Sequence, residues 1–491
     1  MGNNNYERLS PQDLQFLVME SPGAPMDMVS TQVFGEGRLT DADGGVDIDF
    51  YRDLIESVLD RFPRFRQKLK WIPYADIPVW VDDANFNIEY HVRHTALPRP
   101  GSMEQLKNLV ARITERALDR QRPLWEVWVV EGLEHHRYAL ISKIHHCMFD
   151  GIGKHSMMQI MMSENSEDGS VVKRPFVPSQ PPSEVSLLWD EWHRRYAQPV
   201  DALRNAGELL RRTTGMSVLE RRLGAVRDSL VSIVRRPRAT PVNGELSSHR
   251  RVEWLELPLS MLDEAARLSA AERSDIVLAL LAGGIRELYQ EADAEPHHDF
   301  RLAMPLVLDA QSDSKRCSAW VVDLPIDEAD VLERVERISD QASEWRAAGS
   351  SVSLELPINP MESIPAAFLS LFTTGKETCA NTLLSYVAGP DRPLYSMGAR
   401  MDAIYPHLPL LPGIGLTTAL VTYRDKLCWG LNGDYDLIPD LGIAARGVVR
   451  AFEQLTHSLG IEPAAEEGVA PDPRVSWHKP ERKPRSPGGL G

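Results

Sequence analysis

Cysteine is scarce in this chain: four in 491 residues, at 147, 317, 379 and 428. They are widely separated and show no metal-binding spacing, so they read as reduced thiols. No apolar run approaches the roughly 18 residues needed to span a bilayer. The longest candidates, such as Ile276 to Ile285, have the length of a buried core helix. The N-terminus, Met1-Gly2-Asn3-Asn4-Asn5, lacks the basic-then-apolar order of a signal peptide, and Tyr6 breaks the myristoylation pattern. Positive charge is also in deficit. A net charge of −16 argues against nucleic acid as a general partner. These absences together predict a cytoplasmic protein. What remains is ordinary globular material, 43% hydrophobic and 25% charged, long enough for two or more packed domains.

Against that background one run stands out: Lys143-Ile144-His145-His146-Cys147-Met148-Phe149-Asp150-Gly151, an HHxxxDG motif directly after the apolar segment Tyr138 to Ile144. A histidine at a strand end is held firmly yet faces the space beyond the sheet. Its ordinary pKa of about 6.5 lets it take a proton near neutral pH. Asp150 can fix the turn that aims the ring, and Gly151 lets the backbone pass close or adopt positive φ. This is the equipment of a general base that activates an alcohol or amine for acyl transfer. Adjacent histidines alone mean little, because His135-His136 and His297-His298 are further pairs, best read as solvated loop residues. Strand neighbours point to opposite faces, so His145 and His146 do not converge on one metal ion. No metal is expected. One ring faces the reaction space and the other packs, and Cys147 packs beneath the turn.

The spacing of apolar residues predicts an α/β chain. Tyr51 to Leu59 and Gln105 to Leu118 have helical periodicity, and Glu126 to Val130 and Tyr138 to Ile144 form antiparallel strands joined by 131–136. Gly153 to Met162 is expected to be a helix, and Asn165 to Val185 an exposed, proline-rich linker. Further on, Arg251 to Leu257, Arg301 to Leu308, Leu416 to Thr422 and Leu427 to Asn432 read as strands. Ser260 to Leu268 reads as a capped helix, Ser274 to Tyr289 as another, and Asp440 to Leu459 as the last. The expected division is 1–163, a linker with a basic amphipathic helix over 164–244, a second unit over 245–460, and a disordered tail over 461–491. From Arg204 to Arg238 nine arginines face Glu208, Glu220 and Asp228, a local charge of 9 − 3 = +6. A docked helix with solvated arginines and a helix touching an anionic lipid surface both fit.

Several ordered blocks carry a resemblance. They are Leu9-Ser10-Pro11-Gln12-Asp13, Glu20-Ser21-Pro22, Arg122-Pro123-Leu124-Trp125-Glu126 before the histidines, Ala388-Gly389-Pro390 with Pro393-Leu394-Tyr395, and Gly413-Ile414-Gly415-Leu416. With the HHxxxDG run they resemble the bacterial wax ester synthase/diacylglycerol acyltransferase family, over about residues 8 to 460. Departures exist: Ser274-Asp275 stands where the family usually has Asn-Asp, though either Ser or Asn can cap a helix.

The resemblance implies two chloramphenicol acetyltransferase-like units with a tunnel at their interface. It implies an O-acyltransferase that moves a fatty acyl group from acyl-CoA, a co-substrate rather than a cofactor, to diacylglycerol or a long-chain alcohol. His146 is then the base, with Asp150 and His145 in the catalytic group. Gly151, Glu20 and Ser274 are expected at the substrate. Acceptors of this kind are poorly soluble, so contact with a membrane or lipid-droplet surface is expected. The alternatives are a peptide-synthetase-type condensation enzyme, which shares HHxxxDG, and a lipid-binding scaffold that has lost catalysis.

Overall fold

The computed structural model describes residues 6–35, 45–73, 78–151, 162, 175–193, 238, 240–307, 316–347, 354–355 and 380–462. The helix expected at 153–162, the basic stretch 204–238 and the tail past 462 lie outside them, save for residues 162 and 238.

The first half of the chain supplies β1 (Glu7–Arg8), α1 (Pro11–Met19), β2 (Asp27–Phe34), α2 (Ile48–Val58), β3 (Gln67–Trp71), β4 (Pro78–Asp82), β5 (Val92–Ala96), α3 (Met103–Thr114), β6 (Trp125–Leu133) and β7 (Arg137–His145). A helix over 184–193, here α4, follows the mostly exposed residues 175–183, which have no helix or strand, so it takes the last two residues of the expected linker; 165–174 lie outside the described residues. The second half supplies β8 (Arg250–Pro258), α5 (Leu259–Leu268), α6 (Arg273–Glu291), β9 (Phe300–Val307), β10 (Arg316–Leu324), α7 (Val331–Ala347), β11 (Leu354–Glu355) and β12 (Thr382–Val387). It ends with β13 (Tyr395–Ser396), β14 (Ala399–His407), β15 (Leu416–Tyr423), β16 (Lys426–Asp434) and α8 (Gly442–Ser458).

These strands form a six-stranded sheet in the order β13-β14-β2-β7-β6-β5, a seven-stranded sheet β11-β10-β9-β12-β15-β16-β8, and a small sheet β1-β4-β3. The mixed α/β class with two sheet-rich halves is as expected. Strand β14 comes from far down the chain yet completes the first sheet, pairing antiparallel with β2 from His407↔Val29 to Met401↔Phe34. It also lies against β16. The two strands approach so closely that a Cβ at Gly430 would overlap the Pro406 carbonyl, so only glycine fits there. Each sheet has its own apolar core. A third cluster joins the halves: Phe16, Ala24 and Met26 from the first pack on Leu383, Leu408 and Ile414 from the second.

Local chemistry explains the boundaries. The Ser102 hydroxyl accepts from the Gln105 amide and the Gln105 side chain accepts from the Ser102 amide, so α3 starts at Met103. Two expectations change here. Helix α5 has Pro258 at its N-cap position and no side-chain cap, so Ser260 does not cap it. Helix α6 is capped by Glu272 and Asp275, which satisfy each other's backbone amides, so Ser274 is a first-turn residue and not the cap. The β6–β7 turn is shorter than expected, because β6 runs to Leu133. His135 and His136 make it with positive φ, 64° and 53°, and both are exposed.

Candidate active site

Strand β7 lies between β2 and β6, and Tyr138 to His145 are all buried. A strand buried on both faces reads as a continuous apolar run. Lys143 breaks that run. Its side chain is fully buried, and its ammonium donates to the carbonyls of Ile113 (2.7 Å) and Arg116 and sits 3.3 Å from Asp27 Oδ2. Asp27 is the cross-strand partner of His145, so both side chains rise on the same face as Lys143.

His145 is the last residue of β7. Its Nε2 faces Glu20 Oε2 at 3.7 Å. Glu20, at the end of α1, accepts two bonds from the Arg120 guanidinium, the longer at 3.0 Å. A line of alternating charge results: Lys143, Asp27, His145, Glu20, Arg120. On the other side of the ring, Nδ1 is 3.0 Å from the Cys147 sulfur and 3.1 Å from the Cys147 amide. A protonated Nδ1 can donate only to the sulfur, whereas a bare Nδ1 can accept from the amide or the thiol. Burial opposes charge on this ring. The Cys147 sulfur, Glu20 and Asp27 outweigh it and push the pKa up to about 10, which favours the imidazolium. Burial raises Asp27 despite Lys143 and His145, whereas for Glu20 the nearby His145 and the bonds from Arg120 overcome burial and hold it low. Cys147 is raised by burial and packs beneath the turn, as expected.

His146 lies outside the strand. It opens the 3-10 helix His146–Gly151, with its amide donating to the Met26 carbonyl (2.9 Å). The two histidines therefore differ in setting because the strand ends between them, not because strand neighbours alternate. Its ring stacks on Phe16 with centroids 3.8 Å apart and planes 11° from parallel. Burial, then the positive charge on His145, lowers its pKa to about 3. This favours the neutral ring. Phe16 and Met26 belong to the apolar cluster that joins the halves, so the neutral ring stands at that seam.

The remaining expected site residues divide. Glu20 is brought to the motif, joined to His145. Ser274 donates to Asp275 Oδ1 (3.2 Å) on α6, whose main neighbours are α5, α7 and α8 of the second half. Asp150 and Gly151 follow His146 in the 3-10 turn, and their side-chain surroundings lie outside the described residues. The sequence argument missed Asp27, Lys143 and Arg120 as members of the site. A lysine inside an otherwise apolar strand was the available signal. Glu20, Asp27 and His145 offer ligand atoms within 4.8 Å of one another. Lys143 and Arg120 already neutralise both carboxylates, so the group suits a fixed ion-pair network better than a metal ion.

Residues 9–277 match the wax ester synthase/diacylglycerol acyltransferase catalytic domain, and 316–456 match the WS/DGAT C-terminal domain. The chain belongs to the wax ester synthase/diacylglycerol acyltransferase family. It is 30% identical over 406 residues to a probable diacylglycerol O-acyltransferase of Mycobacterium tuberculosis, covering 80% of this chain and 84% of that one. Its fold is similar to that of the wax ester synthase/diacylglycerol acyltransferase from Marinobacter aquaeolei VT8, with a TM-score of 0.67 and 24% identity over 92% of this chain and 100% of that one. The starter condensation domain of rhizomide synthetase shares the fold more distantly, with a TM-score of 0.53 and 11% identity over 92% and 95% of the two chains. Within the wax ester synthase/diacylglycerol acyltransferase family, then, the HHxxxDG turn of this member buries two imidazoles in different surroundings, one beside Glu20 and Cys147 and one stacked on Phe16.

Proposed function

We propose that this acyltransferase moves a fatty acyl group from acyl-CoA to diacylglycerol or a long-chain alcohol, with His146 as the base. The observation that carries the assignment is the placement of the His146 ring, stacked on Phe16 at the apolar seam just past the end of β7. His146 takes the acceptor hydroxyl proton as the oxygen attacks the thioester carbonyl. The new C–O bond forms, the C–S bond breaks, and the proton passes to the CoA sulfur. No acyl-enzyme is needed, because the thioester is already activated. The His145 imidazolium, fixed by Glu20 and Asp27, orders the turn and keeps His146 unprotonated. Asp150 completes the turn, and the apolar seam is where acyl chains would lie. The test mixes acyl-CoA with diacylglycerol or a long-chain alcohol and measures free CoA and ester. Ester formation by wild type but not by folded His146→Ala supports the assignment, and equal rates overturn it. Amide formation on amine acceptors alone would favour the condensation alternative.

Acceptors of this class collect at interfaces, and no described helix is long and apolar enough to cross a membrane. A surface contact fits α4. Leu187 buries against Ile72, Val79 and Val81, whereas Trp189 and Trp192 are 61% and 52% exposed and stack 5.7 Å apart. Indoles favour the membrane–water boundary. The +6 stretch Arg204 to Arg238 follows in sequence, and anionic headgroups complement it.

A further inference from the structure

A cleft of about 270 Å³ opens beside the end of α3, away from the histidine turn. Its lining includes Arg93, Arg112, Arg116 and Arg122, against the acids Asp119 and Glu126. The local charge is 4 − 2 = +2, in a chain whose net charge is −16. Arg93 and Arg122 are already placed. Arg93 lies 5.1 Å over the Trp128 ring and 3.2 Å from Glu126, and Arg122 lies 4.0 Å over the half-exposed Tyr90 ring and 3.4 Å from Asp119. Arg112 and Arg116 have no ion pair among the described residues. The Trp128 indole N–H, in the same wall, is buried and donates to nothing described. Helix ends attract arginine, which accounts for one cation at the end of α3. It does not account for three separate segments sending guanidinium groups to one concavity with aromatic faces between them.

We propose that this cleft binds a phosphorylated ligand with a planar ring, the chemistry of a nucleoside monophosphate. Arg112 and Arg116 would take the phosphate in forked hydrogen bonds. Tyr90 would stack on the ring, and Trp128 would donate to an acceptor atom. The volume lies near the lower end of small-molecule sites and suits one base and one phosphate. The site is separate from the proposed chemistry. Lys143 stands between them, donating to the cleft carbonyls Ile113 and Arg116 and facing Asp27 behind. The proposal does not rest on acyl transfer.

Calorimetric titration of the full chain with 5′-AMP, adenosine and inorganic phosphate is the test. AMP should bind, with each half-ligand at least about tenfold weaker. Arg112→Gln/Arg116→Gln should weaken AMP by a similar factor without lowering the melting temperature. Tyr90→Ala should weaken AMP but leave phosphate unchanged. Adenosine binding as tightly as AMP, undiminished affinity in the double variant, or no AMP binding at millimolar concentration would overturn the site. A competition with coenzyme A separates two sources of the same chemistry. Mutual exclusion places the co-substrate's nucleotide here, and independent binding assigns the cleft to a free nucleotide.

Discussion

At the residue scale, the pair of histidines invites the sharpest tests. His146→Ala should lower ester formation by roughly 10²–10⁴ while circular dichroism stays native. His145 should act through its neighbour. Replacing it with Gln removes a positive charge beside His146, so the His146 pKa rises. The base works only unprotonated, and rate is lost as pH falls through its pKa. In wild type that point is near 3, so kcat/KM should show no acid limb between about pH 5 and 8. In His145→Gln the limb should move up toward that window. An unmoved limb would count against the coupling. Lys143 belongs to the same scale. Lys143→Met leaves Asp27 buried without its cation, and breaking such a pair costs about 3–5 kcal/mol, readable by urea unfolding. The motif itself was legible because its residue types and spacing are local. The ion network was not, since Asp27, Arg120 and Lys143 meet only when β2, β7 and the segment after α3 are assembled.

At the scale of elements, strands with strong apolar runs were legible: β7, β8, β15 and β16 lie within a few residues of where their sequences place them. Helix starts were less so. Ser260 and Ser274 look like caps locally, but Pro258 fills one cap position and the Glu272–Asp275 exchange fills the other. Helix α4 escaped notice because its inner face carries only two apolar residues, Leu187 and half-buried Leu188, beside the buried carboxylate of Glu191, and is set against exposed tryptophans. Those tryptophans carry a prediction. Trp189→Ala/Trp192→Ala should float less well than wild type with anionic vesicles, and high salt should weaken what remains, since exposed charge attraction is screened over about 8 Å at physiological ionic strength. Equal flotation of variant and wild type would leave α4 as a structural connector.

For the whole molecule, buried histidines set the response to acid. Burial holds His91 and His407 near 4 and, with the His145 charge, His146 near 3. A histidine with a lowered folded pKa stabilises fully above its unfolded value of about 6.5 and loses that contribution as pH falls toward the folded value. His145 runs the other way: its contribution is present below about 6.5 and is lost as pH rises through about 10. The melting temperature should therefore fall between pH 6.5 and 4, with net proton uptake on unfolding. A melting temperature that is flat or rising over that interval would contradict the burial of these rings. The α/β class and two sheet-rich halves were legible from alternating strand and helix patterns, but the exchange of β14 into the first sheet was not, because nothing in a strand's own sequence names its neighbour.

That exchange bears on how the chain is made. During synthesis the histidine turn and β2 emerge long before residues 399–407, and until those arrive β2 presents an unpaired edge. A nascent chain stopped anywhere before β14 is therefore an adhesive half-sheet. Fragments ending near residue 277 should collect in inclusion bodies, whereas co-expression with a fragment beginning after residue 380 should bring them into solution.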